Sequence, residues 1–261
     1  MPPGQLDIER VLSATTLQHV EHREETGSTN DLAIELASLG ETPCPFLVIA
    51  DRQTSGRGRG NNQWWAADGS LTFSLVIDAD ARKLARSHWP KLSLTVGLAV
   101  CQTVEALVPG GGVRLKWPND VYLGDRKVCG VLVETLSARP ETIILGVGIN
   151  VNNSFREAPA ELQSIATSLV DRAGREFDRS DLLVQLLVEL DQLTARIQED
   201  SDALTESFRE RCMLEGRTVS IDVGNRQVSG VCHGIDEDGA LLVQREGGME
   251  RCFGGIVSRI L

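Results

Sequence analysis

The stretch VRLKWPNDVYLGDRKVCGVLVETL (113–136) decides how the chain is read. VRLKW (113–117) and KVCGVLVETL (127–136) are short runs rich in branched apolar residues, the composition that suits a pleated and largely buried surface. PND (118–120) and LGD (123–125) supply turn chemistry between them. Working outward, ARPE (138–141) is a further turn, and TIILGVGINV (142–151) a further strand. On the N-terminal side, FLVIA (46–50) and SLTFSLVID (70–78) add two more.

Helical segments surround these strands. Residues 6–14 read as a helix, and so does STNDLAIELASLG (28–40). There Ser28, Thr29 and Asn30 are all capable N-caps, and Gly40 can close the C-terminus. WPKLSLTVGLAVCQTVEAL (89–107) is long and apolar enough to be a buried helix. DLLVQLLVELDQLTARI (181–197) is another, followed by a helix running to about 213. Beyond Gly216 the character changes: VSIDV, VSGVCHGI, ALLVQ and IVSRI are separated by VGN, DEDG and EGG turns, which predicts a small β-barrel. The expectation is an α+β fold, a mixed sheet packed with helices over residues 1–213, with a barrel over 214–261.

Composition excludes several functions. A net charge of -11 argues against a general nucleic-acid binder, which presents a basic field to phosphates. No apolar run reaches the roughly 18–20 residues that span a bilayer. MPPGQLDIER carries no signal segment, so a cytoplasmic protein is expected. Cys44, Cys101, Cys129, Cys212, Cys232 and Cys252 form no CxxC pair, and with four scattered histidines they give no zinc-ligand spacing. They read as small buried hydrophobes.

Against this acidic background TSGRGRGNNQWW (54–65) is a cationic loop. It fails the dinucleotide fingerprint, because Asn61 stands where the third glycine belongs and a strand follows instead of a helix. The Walker pattern is absent too. Glycines still let backbone N–H groups close on an anion, arginines fork onto carboxylate or phosphate oxygens, and tryptophan offers a flat face. These features suit a ligand with both a phosphate and a ring, although a solvated surface loop remains an alternative.

GSTND (27–31), QTSGRGRG (53–60), KWPND (116–120), GDRKVCGVLVE (124–134) and GVGIN (146–150) form an ordered set that resembles the biotin protein ligases. GIDEDGALLV (234–243) and FGGIVSRI (253–260) resemble that family's C-terminal domain, so the likeness runs from about residue 6 to the end. It implies the biotin ligase fold, which is similar to that of class II aminoacyl-tRNA synthetases, with an SH3-like C-terminal barrel. It further implies ATP and biotin as substrates with Mg2+, biotinyl-5'-AMP and pyrophosphate as first products, and a biotin carboxyl carrier protein as partner.

By the same resemblance, Ser28, Thr29, Asn30 and Gln53 line the ureido end of biotin, although local sequence explains Ser28 to Asn30 equally well as helix caps. Arg57, Gly58 and Arg59 match the carboxyl and adenylate loop, with Arg59 on the phosphate. Trp64 matches an aromatic that packs near the adenylate, while Trp65 suits the core. Lys127 matches the essential lysine at the biotin carboxyl, and Gly130 lets the strand approach biotin closely. Lys116, Asn119 and Asn150 fall near the nucleotide. Asp120 is a candidate magnesium contact, and a type I turn accounts for Asn119 and Asp120 nearly as well.

The chain departs from the family's commoner pattern at Gly60, Asn61 and Asn62, where positive charge is reduced, and at Ile256, where an acid is common. The 26 residues before GSTN are fewer than the roughly 55–60 of an independent small domain. The expectation is therefore a ligase without DNA binding or repressor function, occurring as a monomer or homodimer. Three other readings compete: a lipoate or octanoate ligase, expected to lack KWPND and RKxxG; a biotin sensor without turnover; and a nucleic-acid binder using GRGRG.

Overall fold

A computed structural model describes residues 5–156, 158–199 and 201–261; the start of the N-terminal segment, residues 1–4, lies outside it. Its centre is a seven-stranded sheet in the order β1-β2-β3-β7-β6-β5-β4. The strands are β1 (His19–Thr26), β2 (Phe46–Gln53), β3 (Leu71–Asp78), β4 (Val113–Lys116), β5 (Asp120–Leu123), β6 (Arg126–Thr135) and β7 (Thr142–Ile149). Only β1 and β2 pair in parallel; the other neighbours are antiparallel.

Strand alternation makes the two faces of this sheet chemically different. On one face Leu47, Ile49, Leu71, Phe73, Leu75, Ile77, Ile143, Leu145, Val147 and Ile149 enter the main core. Helices α1 (Ile8–Ala14), α3 (Leu92–Leu107) and α6 (Arg179–Glu199) contribute to that core. On the other face α2 (Thr29–Leu39) covers one end through Ala33 and Ala37 against Phe46, Val48, Val76 and Ile144. The rest of that face carries Thr72, Ser74, Gly130, Gly146 and Gly148, which are too small to hold a helix. The sheet therefore ends in an open cleft there.

Most of the expected elements form, with instructive exceptions. The helix read over 89–107 begins only at Leu92, because Arg86–Lys91, with Pro90 inside it, takes a 3-10 turn. β1 and β5 were not expected. HVEHREET carries six ionisable side chains on an edge strand, with Arg23, Glu24 and Glu25 exposed, and VYL is too short to stand out between two turns. Of the cysteines, Cys101, Cys129, Cys232 and Cys252 are buried as expected, but Cys212 is half-buried and Cys44 is exposed.

After α4 (Ala160–Gln163), α5 (Leu169–Ala173) and α7 (Ser201–Arg211) comes the second sheet. It is antiparallel in the order β11-β10-β9-β8-β12, formed by β8 (Thr218–Val223), β9 (Arg226–Ile235), β10 (Leu241–Arg245), β11 (Gly248–Cys252) and β12 (Ile256–Ile260). β11 is the strand the sequence hid, since GMERC has one apolar residue before its terminal cysteine. This unit docks tightly on the first. The buried Trp117 indole donates to the Gly239 carbonyl at 3.2 Å, and Arg209 Nε donates to the Ile235 carbonyl at 2.8 Å. No helix among the described residues is long and apolar enough to cross a membrane.

Candidate active site

The cleft on the glycine-bearing face has a volume of about 1340 Å3 and is lined by residues of GSTND, QTSGRGRG, KWPND, GDRKVCGVLVE, GVGIN and FGGIVSRI. Its floor follows from the alternation of GVGIN: Val147 and Ile149 point into the core, which leaves Gly146 and Gly148 facing the cleft. A Cβ at Gly148 would overlap the Trp64 indole, and one at Gly146 would overlap the Asn30 amide. Gly130 is the cross-strand partner of Gly148. A Cβ there would meet Lys127 Nζ at 3.1 Å and the Trp64 ring at 3.4 Å.

At one end the N-terminus of α2 packs beside β2 and β3. Ser28 occupies the N-cap position with extended backbone but makes no side-chain cap bond. Gln53 does that work from outside the helix, its Oε1 accepting the Thr29 N–H at 2.7 Å. Ser74 Oγ lies 2.5 Å from Asn30 Oδ1 and 2.8 Å from Thr29 Oγ1. Ser28, Thr29 and Asn30 are all buried. A polar, hydroxyl- and amide-lined pocket closes this end, and such groups match a neutral ligand that both donates and accepts.

The arginine loop folds over the floor as a compact turn. Gly58 N–H donates to the Asn62 carbonyl at 2.8 Å, and Trp64 N–H to the Gly56 carbonyl at 2.9 Å. Arg57 does not point freely into the cleft. Its two terminal nitrogens bind Glu134 at 3.0 and 2.6 Å, and Nη2 also lies 2.9 Å from Asp31. Hydrogen bonding to Glu134 raises the guanidinium above its ordinary value against the opposing effect of burial. Arg59 instead reaches the C-terminal sheet, where Nη1 donates to the Gly255 carbonyl at 3.1 Å. Burial lowers its pKa, and nearby Asp120 partly offsets this. The buried Trp64 indole N–H has no hydrogen-bond partner among the described residues, while Trp65 packs edge-on against Phe155, with ring centroids 5.2 Å apart.

The opposite wall carries the lysines. Lys127 Nζ lies 2.7 Å from Asp120 Oδ1 and 5.7 Å from the centre of the Trp64 ring. Its backbone is fixed by Ile165 and Thr167, which bond its N–H and carbonyl. Lys116 Nζ sits 5.8 Å over the Tyr122 ring, and burial lowers its pKa. Asn119 ties the KWPND turn to β6, its Nδ2 donating to the Val131 carbonyl at 2.8 Å. Asn150 is buried, with Oδ1 accepting from Asn153 at 3.1 Å. No group of three or more His, Cys, Asp or Glu among the described residues is placed to hold a metal ion. Asp120, expected as a magnesium contact, pairs with Lys127 in this structure.

Every motif residue named from the sequence thus lines this cleft or braces it. The sequence reading missed Glu134, Ser74 and Asn153. Glu134 carried a signal, being the one acid of an apolar strand at the same parity as Gly130. Ser74 gave none, since serine in a strand is ordinary.

Comparison with known proteins agrees in extent and order. Residues 24–150 match the Biotin/lipoate A/B protein ligase family, and residues 216–259 match the Biotin protein ligase C terminal domain. A biotin–acetyl-CoA-carboxylase ligase of Mycobacterium tuberculosis is 34% identical over 222 residues, covering 84% of this chain and 80% of that one. The bifunctional ligase/repressor BirA of Bacillus spizizenii is 31% identical over 246 residues, covering 90% of this chain and 72% of the relative. Among solved structures, the biotin protein ligase of Aquifex aeolicus in complex with biotin and ATP superimposes with a TM-score of 0.82 at 29% identity. That match covers 94% of this chain and all of the other. With a glycine-floored cleft, a polar end pocket and opposed cationic walls in one fold with these relatives, the chain belongs to the biotin protein ligase family.

Proposed function

We propose that this cleft joins biotin to ATP as biotinyl-5'-AMP and then delivers the biotin to a lysine of the carrier domain of acetyl-CoA carboxylase. A carboxylate oxygen of biotin attacks the α-phosphorus and pyrophosphate leaves with the displaced bond pair. The amine of the carrier lysine then attacks the acyl carbon, AMP leaves, and an amide remains. Both reactants of the first step are anionic, so cations must hold them together and stabilise charge as it moves.

The single observation that carries this reading is the meeting of Lys127, Asp120 and Trp64 over the glycine floor. It supports a place for the biotin carboxylate against Lys127, with Gly130 beneath it and the Arg57–Gly58 turn of the loop above. Ser28, Thr29, Asn30 and Gln53 take the ureido end. Arg59, Lys116, Asn119, Asn150 and Trp64 take the nucleotide, with Arg59 on the α-phosphate. Magnesium would arrive on the phosphates of ATP, and Asp120 is the carboxylate best sited to share it. Residues 1–213 form the catalytic unit in this reading, and 214–261 close the cleft from the side of Gly255.

Discrimination between biotin and lipoate tests this assignment. An apolar dithiolane in the end pocket leaves buried polar groups unpaired, and that is heavily penalised. A carrier domain offered both acids with ATP should gain biotin alone by mass. Equal labelling by lipoate would contradict the reading.

A further inference from the structure

Glu134 stands at the edge of the cleft with no part in the chemistry just described. Along β6 the residues Gly130, Leu132 and Glu134 share one face. The first two line the cleft floor. Glu134 is three-quarters shielded, with a side-chain exposure of 26%. Its carboxylate receives three donors: Arg57 Nη1 on Oε1 at 3.0 Å, Arg57 Nη2 on Oε2 at 2.6 Å, and Asn30 Nδ2 on Oε2 at 2.7 Å. One side chain on a rigid strand thus holds both the first arginine of the loop and a wall residue of the end pocket. Arg57 commits both terminal nitrogens to Glu134, and Nη2 also to Asp31, so the end of its fork is held by the protein's own carboxylates, while its buried Nε has no hydrogen-bond partner among the described residues.

We propose that Glu134 is a positioning residue that anchors the arginine loop, and that the Arg57 guanidinium is a latch to the protein's own carboxylate and not a ligand for the substrate. In the reading of the site given above, on which this rests, the loop must lie over the adenylate to keep water out. A loop tied at Arg57 presents its backbone N–H groups and Arg59 in fixed positions. Because the same carboxylate orients Asn30, the pocket and the loop are braced together.

The test is a double-mutant cycle of Arg57→Ala, Glu134→Ala and the double variant, read in two ways. One readout is hydrogen exchange at the Gly58 and Trp64 amides in ligand-free protein, whose bonds to Asn62 and Gly56 exist only while the loop is folded. The other is the dissociation rate of biotinyl-5'-AMP formed in the site from biotin and ATP. Each single variant should speed loop exchange and raise the dissociation rate by about tenfold, the scale of a partly exposed charge-assisted fork. The double variant should be no worse than the worse single.

Glu134→Gln keeps the shape and an acceptor for Asn30 but loses the charge on the fork. It should show the same loop exchange as Glu134→Ala with an unchanged thermal transition, which separates anchoring from misfolding. Additive effects, near a hundredfold in the double variant, would show that Arg57 meets the ligand directly and would overturn the proposal. So would loop exchange unchanged in Glu134→Gln. If the wild-type protein retains no adenylate, the functional reading fails, while the ligand-free exchange still decides whether Glu134 anchors the loop.

Discussion

Lys127 illustrates how much a single residue's sequence context can say. A lone lysine is ordinarily a solvated surface group. Here it sits 2.7 Å from Asp120 beneath an indole, in the same cleft as Lys116. Removing its charge should slow single-turnover adenylation roughly a hundred- to thousandfold, the loss of about 2.7–4 kcal/mol typical of a transition-state donor. Lys127→Arg should rescue little, since a planar fork does not replace a compact ammonium. A rate for Lys127→Ala within threefold of wild type would contradict the assignment. Lys116 gives a pH prediction. Burial disfavours its ammonium, so it gives up its proton at a lower pH than a free lysine. ATP capture, which uses the charged form, should therefore fall as pH rises through that lowered pKa, whereas Lys116→Arg stays charged throughout. The alkaline limb of kcat/KM for ATP should move to higher pH in the variant, and an unmoved limb would remove Lys116 from nucleotide binding. What the sequence could not show at this scale was pairing. Arg57 and Arg59 look equivalent in GRGRG, yet one is bound by Glu134 and the other reaches Gly255.

Among the elements, legibility followed amphipathic pattern. α2, β3, β6 and β7 were readable because apolar spacing or branched residues mark them, and Gly40 closes α2 in the left-handed conformation. β1 was hidden because its charged residues lie at a sheet edge beside β2, where pairing with a neighbour outweighs composition. The glycines of β7 were legible as residues but not as a floor, because that requires knowing that Trp64 comes to rest on Gly148 and Asn30 on Gly146. Gly148→Ala tests that element directly. The added methyl displaces the indole from beside Gly130 and Lys127, where the biotin carboxylate is placed, so biotin affinity should drop at least tenfold, the scale of about 1.4 kcal/mol from overpacking a close contact. The thermal transition should move little, since the overlap is with a loop side chain and not the core. Biotin affinity by calorimetry beside a melting curve checks this, and unaltered affinity would show that Trp64 is free to move away.

At the scale of the molecule, the two sheets share the site. The buried Trp117 of the KWPND segment bonds the Gly239 carbonyl, and Arg59 of the loop bonds Gly255, so the C-terminal sheet touches both motif walls of the cleft. Neither contact was readable from the sequence, because each joins residues more than a hundred positions apart, although the small sheet itself was foreseen from its turns. The whole arrangement, with cations from two walls facing across a glycine floor, accounts for activation of a carboxylate by ATP better than for passive retention of biotin. The measurement that separates these is pyrophosphate release from ATP by the purified chain, with and without biotin and with a carrier domain present. The account predicts release that depends strictly on biotin and continues, one pyrophosphate for each biotin transferred, until the carrier lysine is used up. Biotin binding without pyrophosphate release, or release indifferent to biotin, would contradict it.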